Sequence, residues 1–146
     1  MHIPVDLSPA QKLLPLAVAL VIIAAFSLLR EPARRTWSAL FIAGAGAAYL
    51  AGGFGPWEMI FPLLMTPIAY WGLKDYRFLG AGWLLHAGWD VLHHLYGNPI
   101  LPFDPASSAG CAICDVGLAA WYFFGAPSIF GVGRRKSSTA SGVGTL

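Results

Sequence analysis

Charge is what this chain has least of. Asp, Glu, Lys and Arg make up 11% of its 146 residues, against about 25% in an ordinary soluble domain. With 57% hydrophobic residues and a mean hydropathy of +0.63, that scarcity argues against a typical soluble domain and for a polytopic membrane protein. A net charge of +2 is too small for a nucleic-acid-binding surface, so no nucleic-acid partner is expected. The opening MHIPVDLSPAQK has only Lys12 ahead of the first apolar run, and so lacks the basic stretch of a secretion signal. Cysteine is confined to one CxxC, with no second pair to relay electrons. No internal repeat and no segment of soluble-domain composition is visible.

What is present is a series of apolar runs. A bilayer core of ~30 Å needs about 20 mostly apolar helical residues, and five segments meet this at roughly 10 to 29, 36 to 53, 56 to 73, 78 to 97 and 110 to 131. The expected fold is therefore all-α, a bundle of five transmembrane helices. Ser8, Pro9 and Gln11 fit a helix start, with Ser8 as cap, Pro9 in the first position and Gln11 completing a capping box. Residues 1–133 form one transmembrane domain in this reading, and RRKSSTASGVGTL at 134–146 has the composition of a disordered cytoplasmic tail.

Orientation follows from the cations. With five spans, Arg30, Arg34, Arg35, Lys74, Arg77, Arg134, Arg135 and Lys136 fall on one side and Lys12 on the other. The positive-inside rule then puts the N-terminus out and the C-terminus in, a multi-pass topology suited to a bacterial inner membrane. In the second span, Ala43, Ala47 and Ala51 form one stripe and Gly44, Ala48 and Gly52 the next, a pattern that packs helices closely and also suits a homo-oligomer face. Pro62 and Pro67 inside the third span are expected to kink it beside Glu58.

Against this background LLHAGWDVLHHLYG stands out. At ~100° per residue, His86, Asp90 and His93 lie within about 60° of arc and His94 about 40° beyond Asp90, so they share one stripe. Ionisable side chains within a span cost a few kcal/mol and normally face the bundle interior. In the expected topology Glu58 of GPWEMIF and the Cys111, Cys114 and Asp115 of CAICD enter from the same outer surface. The bland reading is a hydrogen-bond network that fixes helix register. The sharper one is a transition-metal site drawn from His86, Asp90, His93, His94, Cys111, Cys114 and Asp115, because i,i+4 pairs such as His86/Asp90 and Asp90/His94 can reach one cation. Imidazole with carboxylate suits zinc or iron, and thiolates tilt the choice to zinc or copper, zinc being the first expectation.

CAIC stays open between metal ligand, redox pair and structural disulfide. Glu58 is either a ligand or base, or an acid held by its helix N-terminus. Trp57, Trp83, Trp89 and Tyr96 read as interfacial anchors and packing, and His2 as a solvated terminus. Haem between two histidines is not expected, since the spanning histidines share one helix face.

GWLLHAGWDVLHHLYGNPILPF followed by CAICD resembles a family of small bacterial multi-spanning integral membrane proteins, the domain of unknown function 6010. The likeness runs from about Leu13 to Phe130 and implies a multi-spanning α-helical membrane protein. More loosely, His86, His93 and His94 are similar in number to the zinc histidines of alkaline-ceramidase-like hydrolases, though here all sit on one helix and two spans are missing. Cys111 and Cys114 are similarly placed to the CxxC of vitamin K epoxide reductase-like proteins, without a second pair. The function expected is hydrolytic or redox chemistry at a transition metal on a lipid-like substrate, with Glu58 or Asp90 as catalytic base. The alternatives are a non-enzymatic metal-ion binding or transport protein and a CxxC thiol oxidoreductase acting on a quinone-like molecule.

Overall fold

Ser8 opens the first helix as its sequence requires. Its hydroxyl accepts from the Gln11 amide at 3.3 Å while the Gln11 side chain accepts from the Ser8 amide at 3.0 Å, and Pro9 occupies the first turn. A computed structural model describes residues 7–49 and 52–131; His2 and the 134–146 tail lie outside them.

Five helices follow and, among the described residues, no strand: α1 Pro9–Ser27, α2 Ala33–Ala45, α3 Trp57–Gly72, α4 Tyr76–Tyr96 and α5 Ser107–Phe123. The all-α, five-element expectation holds. Its membrane part is narrower in the structure: among the described residues only α1, with a mean hydropathy of 1.9 over its apolar window, is long and apolar enough to cross a membrane. The reasons are physical. α2, α3 and α5 have 13, 16 and 17 residues, and the 21-residue α4 carries Arg77, Asp90 and three histidines.

Two helices stop earlier than their apolar runs suggest. α5 ends in a Schellman closure, in which Gly125 donates to the Tyr122 carbonyl at 2.9 Å and Ala126 to that of Trp121 at 3.0 Å, with Gly125 at φ +81°. α2 ends at Ala45 within the Gly-rich run, and the chain continues through tight turns closed by Ala47 on Gly44 and Ala48 on Ala45. The Ala45 carbonyl, which accepts from the Ala48 amide at 3.0 Å, also accepts from His86 of α4. α3, by contrast, runs on through Pro62 and Pro67, and Thr66 caps the Pro62 carbonyl with its hydroxyl at 2.9 Å.

α4 is the centre of the bundle, packed most extensively on α5 and also on α2 and α3. Its Leu79 and Trp83 bury with Ile42, Met65, Leu118 and Tyr122. Trp83, buried, and Trp89, stacked on Phe61 at 4.6 Å, are packing residues, whereas Trp57 and Tyr96 are exposed. The cationic ends meet at one pole: the Arg35 guanidinium donates to the Lys74 carbonyl at 2.9 Å and lies over the Tyr76 ring. Arg34 is not a loose surface charge there. It is buried and donates to the carbonyls of Phe26, Leu29 and Ala126 at 2.7–3.2 Å, so it ties the end of α1 to the end of α5.

The bundle buries several ionisable groups beside its apolar core and leaves large apolar side chains exposed. Arg34, Glu58, His86, Asp90, His93 and Asp115 are buried, while Leu13, Leu20, Val21, Leu63, Leu64 and Trp71 stand exposed. Exposed large apolar side chains occur on every helix.

Candidate functional site

The histidine stripe of α4 resolves into two groups, their histidines about two turns apart. His86, His93 and Asp90 all face inward and are buried, as their shared arc requires. Seven residues separate the two histidines, about 10 Å along the helix, so each meets a different partner helix.

At the deeper group, His86 Nδ1 is 2.7 Å from Asp115 Oδ2 and 3.3 Å from Asp90 Oδ2. Its Nε2 donates to the Ala45 carbonyl at 2.9 Å, the acceptor that the early end of α2 provides. Asp115 arrives level with His86 because α5 begins at Ser107, three residues before the expected 110, and so carries Asp115 two turns into the bundle. Asp90 is fully buried, and neither of its carboxylate oxygens accepts a hydrogen bond. The Tyr49 hydroxyl faces Asp90 and Ser108 without a well-aligned bond of its own. One ligand atom from each of His86, Asp90 and Asp115 falls within 4.8 Å of the others, the group among the described residues with metal-binding spacing.

The second group is a pair. His93 Nε2 lies 3.0 Å from Glu58 Oε1 and its Nδ1 2.9 Å from the Trp89 carbonyl, so both ring nitrogens have an oxygen partner. Tyr49 stacks on that ring at 3.8 Å, and Phe54 and Trp89 approach it at 4.5 and 5.0 Å, an aromatic enclosure suited to a cation. Glu58 Oε1 also accepts from the Phe54 amide at 2.9 Å. Gly52 is required here by close approach: a Cβ there would lie 2.4 Å from His93 Nε2 and 2.7 Å from Glu58 Oε1.

The expected residues therefore divide. His86, Asp90 and Asp115 come together; Glu58 and His93 form their own pair instead of joining them. His94 is half-buried on the flank of the stripe and joins neither group, its Nδ1 enclosed without a hydrogen bond. Cys111 and Cys114 are free thiols, with no disulfide between them, and neither belongs to the 4.8 Å group. Both line a cleft of about 430 Å³ with His86 and Asp115, walled by Leu14, Pro15, Val18 and Ile22 of α1, Phe41 and Ala45 of α2, and Trp83 and Leu118. Sequence reasoning missed Tyr49, which sits in the small-residue run AGAGAAYLAGG and reads there as packing. It also missed the Ala45 carbonyl, which no side-chain pattern marks.

These features define a five-helix bundle with a buried His–carboxylate centre at the wall of an apolar cleft. The chain belongs to a family of unknown function (DUF6010), whose sequence profile matches residues 10–128. No curated protein and no solved structure matches the chain.

Proposed function

We propose that this is a multi-pass membrane protein, N-terminus out, that holds a transition metal on His86, Asp90 and Asp115. The metal, zinc before iron or copper, serves hydrolytic or redox chemistry on a lipid-like molecule in the adjoining cleft. The observation that carries this reading is Asp90, fully buried with both oxygens unsatisfied beside a second buried carboxylate. Two buried carboxyl groups packed on one imidazole must be neutralised, either by a proton held on the pair or by a bound cation. A divalent cation with neutral imidazole brings the sum to zero.

The surroundings of His86 fit that role. Its Nε2–H···O=C bond to Ala45 fixes the tautomer and leaves the Nδ1 lone pair aimed at the carboxylates, the outer-shell arrangement usual for a metal-bound histidine. A zinc ion supplies Lewis acidity and lowers the pKa of water to about 7. Asp90, Asp115 and His86 would hold it, and the Ala45 carbonyl would orient His86. Glu58, committed to His93, serves in this reading as a positioning group rather than as base.

Membrane insertion is supported by the large apolar side chains exposed on every helix and by Arg35 and Lys74 meeting at one pole while Lys12 stands at the other. α4, at 21 residues, spans about 31 Å, close to a bilayer core.

The test is elemental analysis of protein purified in mild detergent. Wild type should carry one equivalent of metal, His86→Ala and Asp115→Asn none, and His93→Ala an unchanged amount. Wild type free of metal after zinc is supplied during purification would overturn the assignment. In that case, loss of function in Cys111→Ser but not in His86→Ala would transfer the chemistry to the thiols that share the cleft.

A further inference from the structure

Three cations gather at the pole where the α1–α2 and α3–α4 connections meet the end of α5. Arg35, Lys74 and Arg77 line one polar pocket of about 630 Å³ there, and none of them forms an ion pair among the described residues. The two carboxylates of the lining are already engaged. Glu31 Oε1 accepts from the Tyr76 hydroxyl at 2.6 Å and lies 4.0 Å from Arg34, and Asp75 Oδ1 accepts from the Arg77 amide at 2.9 Å as the cap of α4. Arg35 is held in place without a carboxylate: its guanidinium lies over the Tyr76 ring, 4.7 Å from the centroid, and one Nη donates to the Lys74 carbonyl at 2.9 Å. Its other Nη makes no hydrogen bond among the described residues. Lys74 Nζ lies 5.7 Å over the Tyr70 ring.

That lining selects an occupant by charge. Three cations against two carboxylates leave one positive charge around the pocket, and like charges held there repel until an anion joins them. A phosphodiester brings one negative charge and two free oxygens, the acceptor geometry that an arginine fork and a lysine ammonium bind well. A phosphate monoester brings about −1.5 to −2, more than the pocket neutralises, and a zwitterionic head group adds a fourth cation. The rim points to a lipid as the carrier. Phe123 and Phe124 line the same pocket and are 45% and 83% exposed, and Trp71 and Phe78 stand exposed beside the turn from Lys74 to Arg77 with ring centroids 5.7 Å apart. Aromatic side chains in such a ring suit the boundary between head groups and hydrocarbon, and a pocket of this volume holds one head group.

We infer that this pocket binds the phosphodiester of an anionic phospholipid, with Arg35, Lys74 and Arg77 on its oxygens. The pocket is independent of the metal centre, and the proposed multi-pass insertion enters only in making a lipid the source of the phosphate.

The experiment uses the full chain, stripped of lipid in mild detergent and titrated with dioleoyl phosphatidylglycerol, dioleoyl phosphatidylcholine or inorganic phosphate at matched ionic strength. Native mass spectrometry counts bound lipid and thermal melts report stabilisation. Wild type should hold one phosphatidylglycerol, melt higher with it, and respond to neither of the other two. Lys74→Gln and Arg77→Gln, both at exposed side chains, should each weaken phosphatidylglycerol binding about fivefold. Arg30→Gln removes the same charge from the same pole outside the pocket and should leave binding unchanged. Phosphatidylcholine bound as tightly, or an equal loss in Arg30→Gln, overturns the site. Stabilisation by inorganic phosphate that the pocket variants abolish keeps the phosphate site and overturns the lipid. Asp115→Asn, which should lose metal, should bind phosphatidylglycerol as wild type does, so either assignment can fail while the other stands.

Discussion

Asp90 is the buried side chain on which the proposed metal site turns. It is fully enclosed, 3.3 Å from His86 Nδ1, with no hydrogen bond to either oxygen. Replacing it should therefore act oppositely in the two states of the protein. Without metal, Asp90→Asn removes one of two carboxyl groups packed on His86 and should stabilise by roughly 1–3 kcal/mol. With zinc at 100 times its dissociation constant, wild type should gain about 2.7 kcal/mol and Asp90→Asn almost nothing. Thermal melts in detergent with zinc and with chelator read both, and equal zinc response in the two proteins would exclude Asp90 as a ligand. Arg34 shows the contrary case of a buried charge fully employed, with its guanidinium fork on three backbone carbonyls. Arg34→Met should cost on the order of 3 kcal/mol, and Arg34→Lys should recover only a fraction, since a point charge cannot span carbonyls in different directions. The same melts check it.

At the scale of elements, local chemistry decided some ends and tertiary contacts others. The start of α1 was legible because Ser8, Pro9 and Gln11 act within one turn, and the common face of His86, Asp90 and His93 was legible because helical periodicity is local. The end of α2 was not, because the Ala45 carbonyl goes to His86, 41 residues away. Nor was the division of the site, which depends on Asp115 and Glu58 reaching α4 at different heights. The end of α5 lay within reach of sequence, since Gly125 followed by Pro127 is a stop signal inside an otherwise apolar run. Two glycines make the distinction measurable. Gly125→Ala, at φ +81°, should destabilise by about 1 kcal/mol. Gly88→Ala, inside α4 with open space around its missing Cβ, should stabilise by roughly 0.5–1 kcal/mol. Detergent unfolding curves of the two single variants should shift in opposite directions.

For the whole molecule, the decisive property is which solvent faces the helices. Only α1 is both long and apolar enough to span, because α2, α3 and α5 are short and α4 carries Arg77, Asp90 and three histidines, of which the structure buries His86 and His93 together with Asp90. Large apolar side chains stand exposed on every helix while Glu58, His86, Asp90, His93 and Asp115 are buried, and the proposed multi-pass insertion turns on what those exposed faces meet. Leu20 in mid-α1 and Leu63 in mid-α3 are 65% and 71% exposed, and they discriminate between solvents. On a water-facing surface, Leu→Asp at such positions changes stability by no more than about 0.5 kcal/mol. At the centre of a bilayer an aspartate costs about 2.5–3.5 kcal/mol. Leu20→Asp and Leu63→Asp should therefore each impair membrane insertion and lower the stability of the inserted protein by that larger amount, whereas Lys74→Asp, at the cationic pole, should shift it far less. Membrane fractionation and unfolding in bicelles measure the two quantities. If Leu63→Asp leaves both unchanged, the outer face of α3 meets water, and the multi-pass reading fails for that helix whatever its metal site proves to hold.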